Sequence, residues 1–190
     1  MSQQDMWWIG VLGPYGAGKS TFIDSIAYYE TAETNFMLRI NDEVHQVEVD
    51  SGAVPVDDSL VLRFHSNPAA FNAPIFLQHV EDLEAVSPRK ILGLVLLVDS
   101  TDPETFGIVQ QTLDSLRELR VPISYVIAAN KQDLDDAYSP DAVYDALHVP
   151  RGVPVIPSVA SDGDSVRDVL VTLFEKVLQD IDTESRRIGS

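Results

Sequence analysis

The chain has 190 residues, the size of one domain with a full hydrophobic core. It contains no cysteine, which excludes a disulfide framework and a thiolate metal site. Its 13 basic and 30 acidic residues give a formal net charge of −17, so the surface repels nucleic acids and anionic lipids, and we expect neither as a partner.

The apolar segments are too short for a membrane span. The longest continuous one, residues 91–98, is well below the length that crosses a bilayer. The first residues lack the basic and apolar regions of a signal peptide. Residue 2 is serine rather than the glycine needed for myristoylation, and there is no C-terminal cysteine for prenylation. We therefore expect a cytoplasmic protein with no direct membrane insertion.

The N-terminal region predicts a strand, a glycine-rich loop and a helix in succession. The strand is residues 6–12 and the helix residues 19–29. Between them, residues 13–20, Gly-Pro-Tyr-Gly-Ala-Gly-Lys-Ser, fit the pattern G-x-x-x-x-G-K-S/T of a phosphate-binding loop. A glycine-rich turn that binds nothing does not require this order and spacing. We therefore predict a site for a nucleoside diphosphate or triphosphate.

The residue types in this loop suit a phosphate group. Gly16 and Gly18 let the backbone approach an anion, and the N–H groups of residues 16–20 form a cradle at the positive end of the helix. Lys19 is the predicted catalytic residue, with its charge on the β- and γ-phosphates, and the Ser20 hydroxyl is the predicted Mg²⁺ ligand. The predicted phosphate-site residues are Gly13, Tyr15, Gly16, Ala17, Gly18, Lys19, Ser20 and Thr21.

The next part of the chain predicts a polar loop, three extended stretches and an irregular region. Residues 30–36 are polar and predict a loop, and Gly52 predicts a turn. Residues 65–74 are the least regular because asparagine and proline interrupt them, and residues 75–86 fit either a strand with a short helix or one helix. The predicted extended stretches are residues 36–40, 44–49 and 60–64.

The second half alternates strands with helices. Residues 91–98 form an apolar run typical of a central parallel strand covered on both faces. The elements predicted after it are a helix from residue 103, a strand at 122–129, a short helix capped by Ser139 and Pro140 and ending at 147, a strand at 153–156 and a helix at 164–182. This alternation predicts one α/β domain over residues 1–182, with a mostly parallel sheet, helices on both faces and a ligand at the carboxyl edge of the sheet. Residues 183–190 are predicted to be a flexible tail.

A second motif follows the strand predicted at residues 122–129. Asn130, Lys131, Gln132 and Asp133 match N-K-x-D, the guanine-binding motif of GTPases. A carboxylate only accepts hydrogen bonds, and guanine offers two donors side by side where adenine offers an acceptor. Asp133 is therefore predicted to select guanine, by a factor of roughly 10⁴ or more. We expect Asn130 to join this loop to the phosphate-binding loop, and the Lys131 stem to cover the base.

With these motifs, the chain resembles small Ras-superfamily GTPases, specifically the bacterial group related to the gliding GTPase MglA, Arf-type proteins and the signal-recognition-particle receptor β-subunit. The resemblance runs from about residue 7 to 178 and is carried by residues 13–21, 130–134, 139–140 and 155–160. It implies a three-layer P-loop NTPase fold, GTP or GDP with Mg²⁺ as ligands, and a backbone N–H from Ala160 to guanine O6. It further implies a molecular switch that hydrolyses GTP to GDP and phosphate, and a regulatory protein, such as one of the Roadblock/LC7 type, as partner.

The chain departs from this family in the switch regions. No aspartate has a glycine three positions further on, so the family's Asp-x-x-Gly motif is missing. Where relatives have a Gly-Thr-Pro-Gly-Gln-like sequence, Ala69 replaces a glycine and Ala70 replaces the glutamine that orients the attacking water. Thr31 and Thr34 are the candidates for the switch I threonine. Since phosphoryl transfer depends on positioning and charge stabilisation, we expect nucleotide binding with weak intrinsic hydrolysis.

Two other functions fit parts of the sequence. The degenerate third motif fits a pseudo-GTPase that acts as an interaction or scaffold module. The second function is that of an ATP-dependent P-loop enzyme, because Asp99, at the end of an apolar strand, resembles the Mg²⁺-binding aspartate of P-loop ATPases. We favour Asp99 instead as the cap of the turn at residues 100–103. The histidines lack the spacing of metal ligands; they are His45, His65, His79 and His148.

Overall fold

The computed structural model describes residues 5–26, 32–40, 43–55, 60–66, 90–119 and 123–188. Within this part of the chain, the strands are β1 (Asp5–Leu12), β2 (Ala32–Ile40), β3 (Glu43–Pro55), β4 (Leu60–Ser66), β5 (Lys90–Asp99), β6 (Tyr125–Asn130) and β7 (Val155–Pro157). The helices are α1 (Lys19–Asp24), α2 (Phe106–Glu118), α3 (Pro140–Ala146) and α4 (Gly163–Ile188), with one 3₁₀ turn at Pro103–Thr105.

The strands form one mostly parallel sheet, in the order β2-β3-β4-β1-β5-β6-β7. β1 lies parallel to both β4 and β5, and the parallel pairing continues through β6 to β7. The hairpin β2–β3 adds the antiparallel edge, since β3 pairs antiparallel with both β2 and β4. This sheet confirms the predicted α/β class.

The central strand β5 shows why the molecule has three layers. Successive side chains of a strand point to opposite faces. Val95 and Leu97 accordingly lie in a buried cluster with apolar residues of α1 and α4, whereas Leu94 and Leu96 lie in a second cluster with residues of α2 and α3. Helices thus cover both faces of the sheet, and the continuous apolar run of β5 follows from this double burial.

Local capping signals place two of the helices as predicted. The Ser139 side chain accepts a hydrogen bond from the Ala142 N–H at 3.2 Å, and Pro140 takes the first position of α3. At the earlier turn, the Asp102 carboxylate accepts a hydrogen bond from the Glu104 N–H at 3.2 Å, directly before α2. Both starts are therefore determined by short polar–proline sequences.

Several predicted boundaries are wrong. Residues 32–35, predicted as loop, belong to β2 and pair with β3, and Gly52, predicted as a turn, lies inside β3 opposite Phe64. The closing helix does not end at residue 182 but continues to Ile188, so a helix occupies most of the segment predicted to be a tail. The predictions for residues 27–29 and 67–89 lie outside the described residues. The described helices include none that is long and apolar enough to cross a bilayer.

The topology places the candidate functional residues together. β1, β5 and β6 are neighbouring parallel strands, so their carboxyl ends lie at one edge of the sheet. Gly13 follows β1, Asp99 ends β5 and Asn130 ends β6. The two sequence motifs therefore meet at this edge, as expected for an open α/β sheet.

Candidate functional site

The glycines of the loop between β1 and α1 are required by its backbone. Gly16 and Gly18 have φ of 78° and 95°, a left-handed conformation that favours glycine. A Cβ at Gly18 would lie 2.6 Å from Asn130 Nδ2, and one at Gly13 would lie 2.5 Å from the carbonyl oxygen of Leu97. Beside Gly16 the same position is open space. The absence of a side chain at Gly18 thus leaves room for Asn130 to pack against the phosphate loop. This role of Gly18 was not predicted from the sequence.

Lys19 is held by its own loop. Its side chain is buried, and its Nζ donates to the carbonyl oxygens of Gly13 at 3.0 Å and Pro14 at 2.9 Å. These bonds curl the ammonium group back over the loop instead of leaving it extended into solvent. The charge predicted to bind phosphate is therefore positioned by the backbone of the loop itself.

The other loop residues divide into buried and exposed sets. Ala17 is fully buried in the core, so its role is to anchor the loop. Tyr15 is 82% exposed, and Ser20 and Thr21 are exposed in the first turn of α1. The described residues contain no group of three or more acidic or histidine side chains that could bind a metal ion. An exposed hydroxyl at this position suits Mg²⁺, which usually keeps several waters and takes ligands from phosphates.

Asn130 connects the two motifs. Its side chain is almost completely buried; Nδ2 donates to the Ala17 carbonyl oxygen at 2.7 Å, and Oδ1 accepts from the Ala160 N–H at 2.8 Å. Three separate segments are thus held by one amide group. This confirms the predicted link between the base loop and the phosphate loop.

Asp99 and Lys131 form an ion pair beside this link. Lys131 Nζ donates to Asp99 Oδ2, while Asp99 Oδ1 accepts from Thr101 N–H at 3.1 Å and Thr101 Oγ1 at 2.7 Å. Burial of the carboxyl raises its pKa, but the hydrogen bonds from Lys131 and Thr101 together outweigh burial and hold the pKa of Asp99 below its usual value. Asp99 is therefore a turn cap, as we favoured, and it also orients Lys131, which we did not predict.

The rest of the base loop is accessible. Asp133 is exposed, and among the described residues its carboxylate has no hydrogen-bond or ion-pair partner. Ala160 is buried and its N–H donates to Asn130, so in this structure the amide predicted to bind guanine O6 serves the link between the motifs. Its bond to guanine stays a prediction, as does the stacking of Lys131 on the base.

Of the candidate switch residues, Thr34 belongs to the described part of the chain. Thr34 lies in β2 opposite Val49, and two strands separate β2 from β1. A role of Thr34 at the Mg²⁺ site stays a prediction, while Thr31, Ala69 and Ala70 lie outside the described residues.

Two sequence comparisons relate parts of the chain to known proteins. Residues 88–177 match the model of the ADP-ribosylation factor family. This range contains Asn130–Asp133 and Ala160 but does not include the phosphate loop. The chain is 27% identical to the Ras-related protein SEC4 of Saccharomyces cerevisiae over 96 residues, which are 50% of this chain and 45% of SEC4. It therefore spans less than half the length of this curated relative.

The three-dimensional comparison extends the similarity to most of the chain. The Arl6 BBS3 small GTPase from Trypanosoma brucei, solved with the bound nucleotide analogue GppNp, superposes with a TM-score of 0.63 at 14% sequence identity. The match covers 92% of this chain and 98% of that protein. The chain thus has the fold of a small GTPase, and its second half is similar in sequence to the ADP-ribosylation factor family.

Proposed function

We propose that this chain binds GTP and GDP at the carboxyl edge of its sheet and acts as a molecular switch of the small Ras-like type. The observation that carries the proposal is the Asn130 side chain, which joins Ala17 of the phosphate loop to Ala160 beside the base loop. A phosphate motif and a guanine motif that were unrelated would have no reason to share one buried amide. Their junction places the two motifs in a single site.

The phosphate end of the site uses backbone and one lysine. The N–H groups of the loop and the positive end of α1 bind phosphate oxygens, and Lys19 neutralises their charge. Mg²⁺, when bound with the nucleotide, would take the Ser20 hydroxyl as its protein ligand and would neutralise further phosphate charge. Lys19 binds all nucleotides alike, because phosphates carry no base identity.

The base end selects guanine. The Asp133 carboxylate accepts hydrogen bonds from guanine N1–H and the exocyclic amino group, whereas adenine presents an acceptor at N1. The ion pair with Asp99 restrains Lys131, and the stem of Lys131 would then cover the base. An ATP-dependent enzyme that uses Asp99 for Mg²⁺ is disfavoured, since both oxygens of this carboxylate already accept hydrogen bonds from protein groups.

Hydrolysis of GTP to GDP and phosphate is proposed to be slow. Ala70 has no group that can position a water, and the chain lacks Asp-x-x-Gly. A regulatory protein, of the Roadblock/LC7 type or another, would then supply the missing group in trans. We place this switch in the cytoplasm of a bacterial cell. The resemblance to the bacterial MglA-related group supports the partner and the bacterial origin, and the lack of targeting signals in the sequence supports the cytoplasmic location. The same missing motif favours a second candidate, a pseudo-GTPase that binds guanine nucleotide and serves as an interaction module.

Binding and turnover separate these candidates. Nucleotide released by denaturing the purified protein is identified by chromatography, and calorimetric titrations with Mg²⁺ compare GDP, GTP and ATP. We expect GDP and GTP to bind far more tightly than ATP, and Lys19→Ala to lose both. Folded protein that gives no heat with GDP or GTP at millimolar concentration would contradict the proposal. Single-turnover GTP hydrolysis above background that is abolished by Lys19→Ala would eliminate the pseudo-GTPase.

A further inference from the structure

We infer that Ser165 is a positioning residue of the nucleotide site, which slows nucleotide release by fixing the peptide that holds Asn130. The inference rests on the proposed function, because it concerns how the same site retains its ligand. Ser165 lies in the first turn of α4 and is not part of either sequence motif.

The Ser165 hydroxyl orients the segment between β7 and α4. Its Oγ accepts a hydrogen bond from the Val159 N–H at 2.9 Å. The next peptide unit joins the Val159 carbonyl to the Ala160 N–H. That carbonyl accepts from the Asp162 N–H at 2.9 Å, and that N–H donates to Asn130 Oδ1 at 2.8 Å. Two successive peptide units are thereby fixed, and the second of them holds Asn130.

These bonds connect α4 to the phosphate loop. Asn130 passes the constraint on, because its Nδ2 donates to the carbonyl oxygen of Ala17. Asn130, Ala160 and Ala17 are all buried, where a polar group without a partner is costly and hydrogen bonds restrain position strongly. Loss of the Ser165 hydroxyl leaves the Val159 N–H without its acceptor and removes one of the restraints on the segment that leads to Ala160.

Ser165 is not needed to cap its own helix. The start of α4 is capped by Asp162, whose Oδ1 accepts from the Asp164 N–H at 3.0 Å and whose carbonyl accepts from the Val166 N–H at 3.0 Å. The hydroxyl therefore serves the loop rather than the helix. This assigns Ser165 an effect on the ligand site that exceeds its effect on α4.

A matched pair of serines tests the inference. Ser124 also makes one hydrogen bond to α4, from its Oγ to Asp180 Oδ2 at 2.7 Å, but it lies beside the start of β6, at the opposite edge of the sheet from the site. The variants are Ser165→Ala, Ser165→Thr, which keeps the hydroxyl, and Ser124→Ala. The release rate of a fluorescent GDP is measured for each by displacement with excess GDP, alongside thermal unfolding.

We expect Ser165→Ala to release GDP roughly tenfold faster than the wild type, while Ser165→Thr stays within about twofold. Ser124→Ala should leave the release rate unchanged even where its unfolding temperature falls as much as that of Ser165→Ala. Equal release rates for wild type and Ser165→Ala would overturn the inference and leave the proposed function intact. A wild-type protein that binds no guanine nucleotide would overturn both.

Discussion

Base selection by Asp133 offers the sharpest test of the site. Asp133→Asn removes the negative charge and turns one side of the acceptor pair into a donor, the amide –NH₂, which then faces a donor of guanine. Each hydrogen bond to a charged acceptor contributes about 1.5–3 kcal/mol. Because Asp133 is exposed, we take the lower value for both bonds. GDP binding should therefore weaken by about 3 kcal/mol, roughly 150-fold.

The same substitution should improve binding of a xanthine nucleotide. Xanthine carries a carbonyl where guanine has its amino group, so the side-chain amide introduced by Asp133→Asn could accept from N1–H and donate to that carbonyl. Calorimetric titrations of wild type and variant with GDP and XDP at fixed salt measure the exchange of preference. We expect XDP to bind the variant at least about tenfold more tightly than it binds the wild type.

Asp135→Asn is the matched control, because Asp135 is an exposed aspartate in the same loop and its substitution changes the net charge equally. It should change GDP affinity by less than about twofold, since surface charges are largely screened by salt. Asp133→Asn with wild-type GDP affinity would refute the assignment of base selection. Equal losses in the two variants would show a general charge effect instead of recognition of the base edge.

Three further substitutions probe the framework of the site. Asn130→Ala leaves two buried backbone groups without partners, so we expect a loss of about 2–4 kcal/mol in unfolding free energy by urea titration, with loss of GDP binding; unchanged stability would contradict this. Gly18→Ala places a Cβ against Asn130 at a φ of 95° and should lower the unfolding free energy by at least about 1–3 kcal/mol. The control is Gly107→Ala on α2, whose Cβ would meet nothing within 4 Å and which should raise the unfolding free energy by up to about 1 kcal/mol. Equal effects of the two substitutions would refute the steric argument. Asp99→Asn should destabilise the protein at neutral pH but not in acid: the pKa of Asp99 is lowered in the folded state, so its stabilisation exists above the ordinary value and is lost as the pH falls through the folded value. A difference in unfolding free energy between wild type and Asp99→Asn that stays constant down to about pH 2 would contradict that sign.

The two ligand motifs could be interpreted from sequence because each is a short run with fixed spacing. The residue types at positions 13–20 indicate phosphate binding, and those at 130–133 indicate guanine binding, without reference to the rest of the chain. The apolar run of β5 was equally informative, because a strand buried on both faces has no polar positions. The helix starts at Ser139–Pro140 and Asp102–Pro103 also depend on local hydrogen bonds alone.

Sequence reasoning was wrong where pairing between segments overrides local composition. The mostly polar composition of residues 32–35 suggests a loop, yet these residues form a strand because β3 supplies the partner for their backbone groups. Gly52 suggests a turn, but the ladder between β3 and β4 continues through it. The helix α4 likewise continues past residue 182, where composition alone indicated an end.

By itself, then, the sequence determined the order of strands and helices in the second half of the chain, the phosphate loop and the guanine motif. The sequence also predicted that Asn130 joins the two motifs, but the tertiary structure alone decided its partners and the other bonds: Asn130 bonds to Ala17, 113 positions away, Lys131 pairs with Asp99, and Ser165 holds Val159. The physical reason is that such bonds form between strand ends and loops that meet only when parallel strands are laid side by side. The spacing of residues along the sequence does not predict which strand ends and loops become neighbours in the fold.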